Sequence, residues 1–137
     1  MIAHSEWKGN GYFEGQSGSG HTIDFDAGPA HVAGPGPLEA VLMGLCGCAS
    51  VDVVGILEKK RQPLLGLKVT AAAVQAEAAP RIFTHIKLTY AVSGDLDRKA
   101  VEDAVALSHK NCPVSKMLEM SATMEYEIVY EEDEAEQ

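Results

Sequence analysis

Cys46, Cys48 and Cys112, with five scattered histidines, are the residues of this chain best suited to chemistry. A cysteine acts as nucleophile or metal ligand only as its thiolate. Buried in apolar surroundings it is more often a small inert hydrophobe. Cys112 departs from that inert case because it directly precedes Pro113. Proline is favoured at the first position of a helix, so Cys112 stands where unpaired N–H groups and the helix dipole favour a thiolate. Asn111 is expected to cap the same turn. Cys46 and Cys48 are two residues apart, and on a helix their side chains diverge by roughly 200°. They are poorly placed to bond to each other. Zinc sites normally use C-x₂₋₄-C spacing with two further ligands, which Cys-Gly-Cys lacks. His21, His31, His85 and His109 are the hypothetical additional ligands, but they are scattered. Neither a metal nor a cofactor is expected.

The segment that must position Cys46 and Cys48 runs from Gly34 to Gln62. It opens with Pro35-Gly36-Pro37, and its core, Ala40 to Leu57, holds one formal charge in eighteen residues, Asp52. Glu58, Lys59, Lys60 and Arg61 close the run and Pro63 stops it, with the cations at the end a helix dipole favours. The pattern predicts one long helix, apolar nearly all round. Such a run raises the possibility of a membrane span. Asp52, three interrupting glycines and the lack of a second such segment argue against it, so a buried core helix is expected. Gly44, Gly47, Ala49, Ser50 and Gly55 are small enough to admit another backbone, so a central helix pair in a dimer is the sharper expectation beside ordinary core packing.

Around this helix the chain alternates. Residues 1–8 and 12–16 predict a hairpin about Gly9-Asn10-Gly11, and His21 to Asp26 a third strand. After Pro63, Leu65 to Glu77 and Ile82 to Val92 read as strands by period-2 alternation. In the first, Leu65, Leu67, Val69, Ala71 and Ala73 share a face; in the second, Ile82, Ile86, Leu88 and Tyr90 oppose Phe83, His85 and Lys87. Leu96 to Lys110 has helical spacing through Ala100, Val101, Ala104, Val105 and either Leu107 or Ser108. A short helix from Pro113 to about Met120 and a strand from Ala122 to Tyr130 complete the chain. The expected class is α+β, a largely antiparallel sheet packed on a long central helix. One domain is expected over residues 1–130, followed by an acidic, disordered tail at 131–137.

The chain has 137 residues, 46% of them hydrophobic, and a net charge of −9 with eleven cations spread along it. That balance disfavours nucleic acid and anionic membrane surfaces as partners. Met1 to Trp7 shows no basic stretch followed by an apolar one, so a cytoplasmic location is expected. Three cysteines there do not make a disulfide scaffold. They are core residues, metal ligands or redox groups.

Three segments carry a resemblance. Pro35-Gly36-Pro37-Leu38-Glu39-Ala40-Val41-Leu42-Met43-Gly44-Leu45-Cys46-Gly47-Cys48, continuing to Val54, resembles the helix opening of the OsmC/Ohr family, the osmotically inducible and organic hydroperoxide resistance proteins. Cys112-Pro113-Val114-Ser115-Lys116-Met117-Leu118 resembles its second cysteine motif. Ala79-Pro80-Arg81-Ile82-Phe83-Thr84-His85-Ile86 looks like an OsmC-like branch of it. The resemblance implies an OsmC-like fold and an intertwined homodimer with the long helices at its centre and active sites at the interface. It also implies a thiol-dependent peroxidase reducing organic hydroperoxides. Cys48 matches the peroxidatic cysteine and Cys112 the resolving one, with Cys46 an extra, packing thiol. The implied sequence is thiolate attack on the hydroperoxide, a sulfenic acid on Cys48, its condensation with Cys112, and reduction by a cellular dithiol.

The chain also departs from that pattern. The characterised peroxidases carry an arginine before the long helix, paired to a glutamate ten residues before the peroxidatic cysteine. Here no arginine precedes Arg61, Leu38 occupies the glutamate position, and Glu39 lies one residue on, turned by roughly 100°. His21, His31 and Arg81 are the replacement cations. Asp52, at i+4 from Cys48, shares its face and would raise the thiol unless Arg81 or Lys116 neutralises it; a structural ion pair is its other reading. These departures motivate an alternative function, a non-catalytic dimer of this fold binding a small apolar ligand at its interface.

Overall fold

A computed structural model describes residues 1–131. The chain divides into two compact units, Met1–Leu42 and Met43–Gln137. Glu131 closes the last strand, and the rest of the expected tail lies outside the described residues.

In the first unit, β1 (Ala3–Gly9), β2 (Tyr12–Ser17) and β3 (Thr22–Asp26) form an antiparallel sheet in chain order. Asn10 and Gly11 both take positive φ at the first turn, the backbone that a tight hairpin requires and that this residue pair tolerates. The loop from Ala27 to Gly36 is pinned to β3. Asp26 accepts from the Gly28 and Ala33 N–H groups at 2.8 and 3.0 Å, and those donors hold its carboxyl below the usual range. Helix α1 (Pro37–Lys59) then begins, with proline at its first position as expected. Glu39 Oε1 accepts the Gly36 N–H at 2.9 Å, which is one half of a capping box.

The second unit holds most of α1, a sheet of β4 (Gly66–Gln75), β5 (Phe83–Ser93) and β6 (Thr123–Glu131), and helices α2 (Arg98–Asn111) and α3 (Pro113–Leu118). Its core is Leu45, Ala49, Val53 and Leu57 of α1, Ile86, Leu88, Tyr90 and Val92 of β5, and Val101, Ala104 and Val105 of α2. The α1 residues recur every four positions, one stripe of a helix. Helix α1 is long and apolar enough to cross a membrane, a test that the core helix of a soluble protein also passes. The buried stripe instead gives one of its faces to the protein core, while Met43 and Val51 on other faces are 59% and 72% exposed.

The α+β class stands, with strands in two sheets of three. Pairing is largely antiparallel, as expected, and two details differ from the sequence reading. β5 and β6 pair in parallel, from His85 opposite Thr123 to Ser93 opposite Glu131. The connection through α2 and α3 is long enough for the crossover that a parallel pair needs. Phe83, expected opposite Ile86, is buried with it. Gln75 pairs with Phe83 while Val74 pairs with His85. This bulge inserts one residue and reverses the side-chain parity beyond it. In α2 it is Ser108, not Leu107, that completes the buried face.

Candidate functional site

Cys48 sits in mid-α1 with its side chain half-buried, and Cys112 is fully buried at the corner between α2 and α3. Cys112, not Asn111, caps α3, its sulfur accepting the Ser115 N–H at 3.4 Å. The Cys112 N–H bonds Ser108 O at 2.8 Å. The buried Ser108 hydroxyl donates to Ala49 O at 3.2 Å. This chain of bonds fixes the corner onto the turn of α1 next to Cys48, and the two sulfurs meet at 2.8 Å. A disulfide needs about 2.05 Å, so the pair is within a small movement of bonding.

The two thiols are unequal. Burial, the hydrogen bond with Cys112 and the nearby Asp52 charge push Cys48 up, against one backbone N–H from Val114. Burial also pushes Cys112 up, but Cys48, the Ser115 hydroxyl and the Ser115 and Val114 N–H groups outweigh it and hold Cys112 down. The negative charge of the pair therefore rests better on Cys112, while the more accessible sulfur is Cys48. Ser115 Oγ and Tyr90 OH are buried without a well-aligned partner. Burial and the nearby Cys112 charge push Tyr90 up to about 12, so its phenol stays protonated.

Asp52 projects toward the pair. Its carboxylate and both sulfurs lie within 4.8 Å of one another, the one such group of potential metal ligands among the described residues. Asp52 has no ion-pair partner among them. Lys116 pairs with Glu119 at 2.9 Å, and the exposed Arg81 donates from Nε to Ala76 O at 3.1 Å. Neither neutralises Asp52 within the chain. Burial pushes Cys46 up, and it stands apart from the sulfur pair. His85 and His109 face Glu125 and Glu119 at 3.1 and 3.3 Å. In the first unit, His21 meets Ser19 Oγ at 3.0 Å. His31 bridges Asp26 O at 2.8 Å and Glu39 Oε1 at 3.6 Å. Sequence reasoning missed Ser108 and Ser115 as supports of the site. A serine completing the apolar face of α2 was the signal for Ser108; Ser115 is identifiable only once Cys112 is known to be the cap.

A two-sheet α+β protein presenting a close cysteine pair between a long apolar helix and a helix corner is a dithiol protein by class. The OsmC-like protein family model matches residues 28–127, and the chain belongs to that family. Protein YhfA of Escherichia coli K12 is 44% identical over 133 residues, spanning 94% of this chain and 98% of that protein. A hypothetical protein from Aquifex aeolicus is 28% identical, with TM-score 0.81 over 95% of this chain and 96% of its own. An organic hydroperoxide resistance protein OsmC from Legionella pneumophila, at 18% identity, shares the fold with TM-score 0.71 over 93% and 95% of the two chains.

Proposed function

We propose that this protein is a thiol-dependent peroxidase that reduces organic hydroperoxides through Cys48 and Cys112. The observation that carries the reading is the 2.8 Å approach of the two sulfurs, of which only Cys48 is accessible and Cys112 better holds charge. On this account the Cys112 thiolate takes the Cys48 proton as hydroperoxide arrives. The Cys48 sulfur attacks the distal oxygen, the O–O bond breaks, and the alkoxide takes the proton from Cys112 and leaves as alcohol. The regenerated Cys112 thiolate then attacks the Cys48 sulfenic acid; hydroxide leaves, is protonated to water, and a disulfide remains. A cellular dithiol restores both thiols by exchange. This relay gives Cys48 its thiolate without a cation inside the chain, where Asp52 opposes it.

The exposed Val41, Met43 and Val51 side chains of α1 support a homodimer that covers them, acting in the cytoplasm. Glu39, Arg81 and His21 then serve as supports from the dimer or as surface residues. Dithiol-dependent consumption of an alkyl hydroperoxide tests the reading. Turnover lost in Cys48→Ser is expected; a wild type no faster than Cys48→Ser rejects it in favour of a ligand-binding dimer.

A further inference from the structure

We propose that Cys48, Asp52 and Cys112 together form a binding site for a thiophilic divalent cation, zinc above all. The three ligand atoms lie within 4.8 Å of one another. Cys48 and Asp52 are one turn apart on α1 and share a face, while Cys112 reaches across from the start of α3. Two sulfurs and a carboxylate oxygen are donors zinc takes at about 2.3 and 2.0–2.2 Å, and three protein ligands leave its fourth position open to water. Sulfurs sharing a tetrahedral zinc stand about 3.8 Å apart, so the pair must open by roughly 1 Å from its present 2.8 Å. Thiolate ligands select zinc over magnesium or calcium.

Asp52 is the observation that sets this apart from a plain redox pair. A half-buried carboxylate with no hydrogen bond or ion pair among the described residues, placed beside two thiols, adds the oxygen donor that a metal site uses and a disulfide pair does not need. Binding moves no electrons: the thiol protons go to solvent, two S–Zn bonds and one O–Zn bond form, and metal-bound water leaves. A Cys48–Cys112 disulfide lacks both thiolates, so metal and oxidation exclude each other. The inference does not rest on the peroxidase reading, since it concerns the reduced protein alone.

The experiment titrates fully reduced protein with Co²⁺ under anaerobic conditions and then displaces the Co²⁺ with Zn²⁺. One Co²⁺ per chain with a thiolate-to-cobalt charge-transfer band is expected. Zn²⁺ should protect Cys48 but not Cys46 from alkylation, read by mass spectrometry on the unmutated chain. Asp52→Asn should weaken zinc at least about tenfold, the loss that even an outer-shell partner causes. Absence of stoichiometric binding, protection of Cys46 instead of Cys48, or undiminished affinity in Asp52→Asn would overturn the proposal.

Discussion

Replacing Ser115 with alanine tests the electrostatics of the cysteine pair. Burial pushes the Cys112 thiol up and four donors pull it down, the Ser115 hydroxyl among them. The substitution removes that hydroxyl and keeps the Ser115 N–H on the sulfur. The hydroxyl is buried without an aligned partner, so it acts on the sulfur through its dipole, by less than the contribution of about 1.5–3 kcal/mol from a formed hydrogen bond to a charged group. Cys112 should therefore titrate higher in Ser115→Ala than in wild type, read from the NMR shift of its Cβ. The stability effect has a definite sign. A folded-state pKa below the unfolded value contributes stability that is present above the ordinary thiol value of about 8.5 and is lost as pH falls through the folded value. Ser115→Ala should thus lose stability at alkaline pH and little at acid pH, where a buried hydroxyl without a partner was itself unfavourable. A Cys112 titration that coincides with wild type would refute the assignment of that hydroxyl to the thiolate.

Other consequences follow from the same structure. Ser108→Ala removes the buried bond to Ala49 and should cost about 1 kcal/mol while slowing disulfide closure more than sulfenic acid formation, which stopped-flow oxidation would separate. Gly94→Ala should destabilise by at least about 2 kcal/mol, because Gly94 has φ +126° and a Cβ there would meet the Pro63 carbonyl oxygen; thermal unfolding reads this directly. The Gly28 and Ala33 amide shifts should titrate with Asp26 at a midpoint below the ordinary carboxylate value, since those N–H groups hold its carboxyl down. Val51→Glu should convert a dimer to monomer in sedimentation, as expected if this exposed face of α1 is the interface.

Most elements are legible in the sequence because their signals are local. Pro37 and the cations after Leu57 bound α1, alternation marks β4 and β5, and Asn10-Gly11 marks the first hairpin. What is not legible depends on partners distant in sequence. The parallel pairing of β5 with β6 is set by a crossover through two helices, and the burial of Phe83 by a bulge opposite Gln75. Cys48 and Cys112 are named by motif resemblance, but their meeting across 64 residues depends on the Ser108–Ala49 bond, which no periodicity encodes. Asp52 is recognisable at i+4 from Cys48. That Lys116 and Arg81 are engaged elsewhere emerges only from packing. Glu39, out of register as a partner for the thiol, is explained locally as the cap of Gly36.

The central claim is that Cys48 and Cys112 form one redox unit. The most direct test treats fully reduced protein with one equivalent of an alkyl hydroperoxide and maps its thiols by mass spectrometry. The account predicts prompt, near-stoichiometric Cys48–Cys112 disulfide with Cys46 left free. It is contradicted by a protein that keeps all three thiols reduced, or that oxidises Cys46 before the pair.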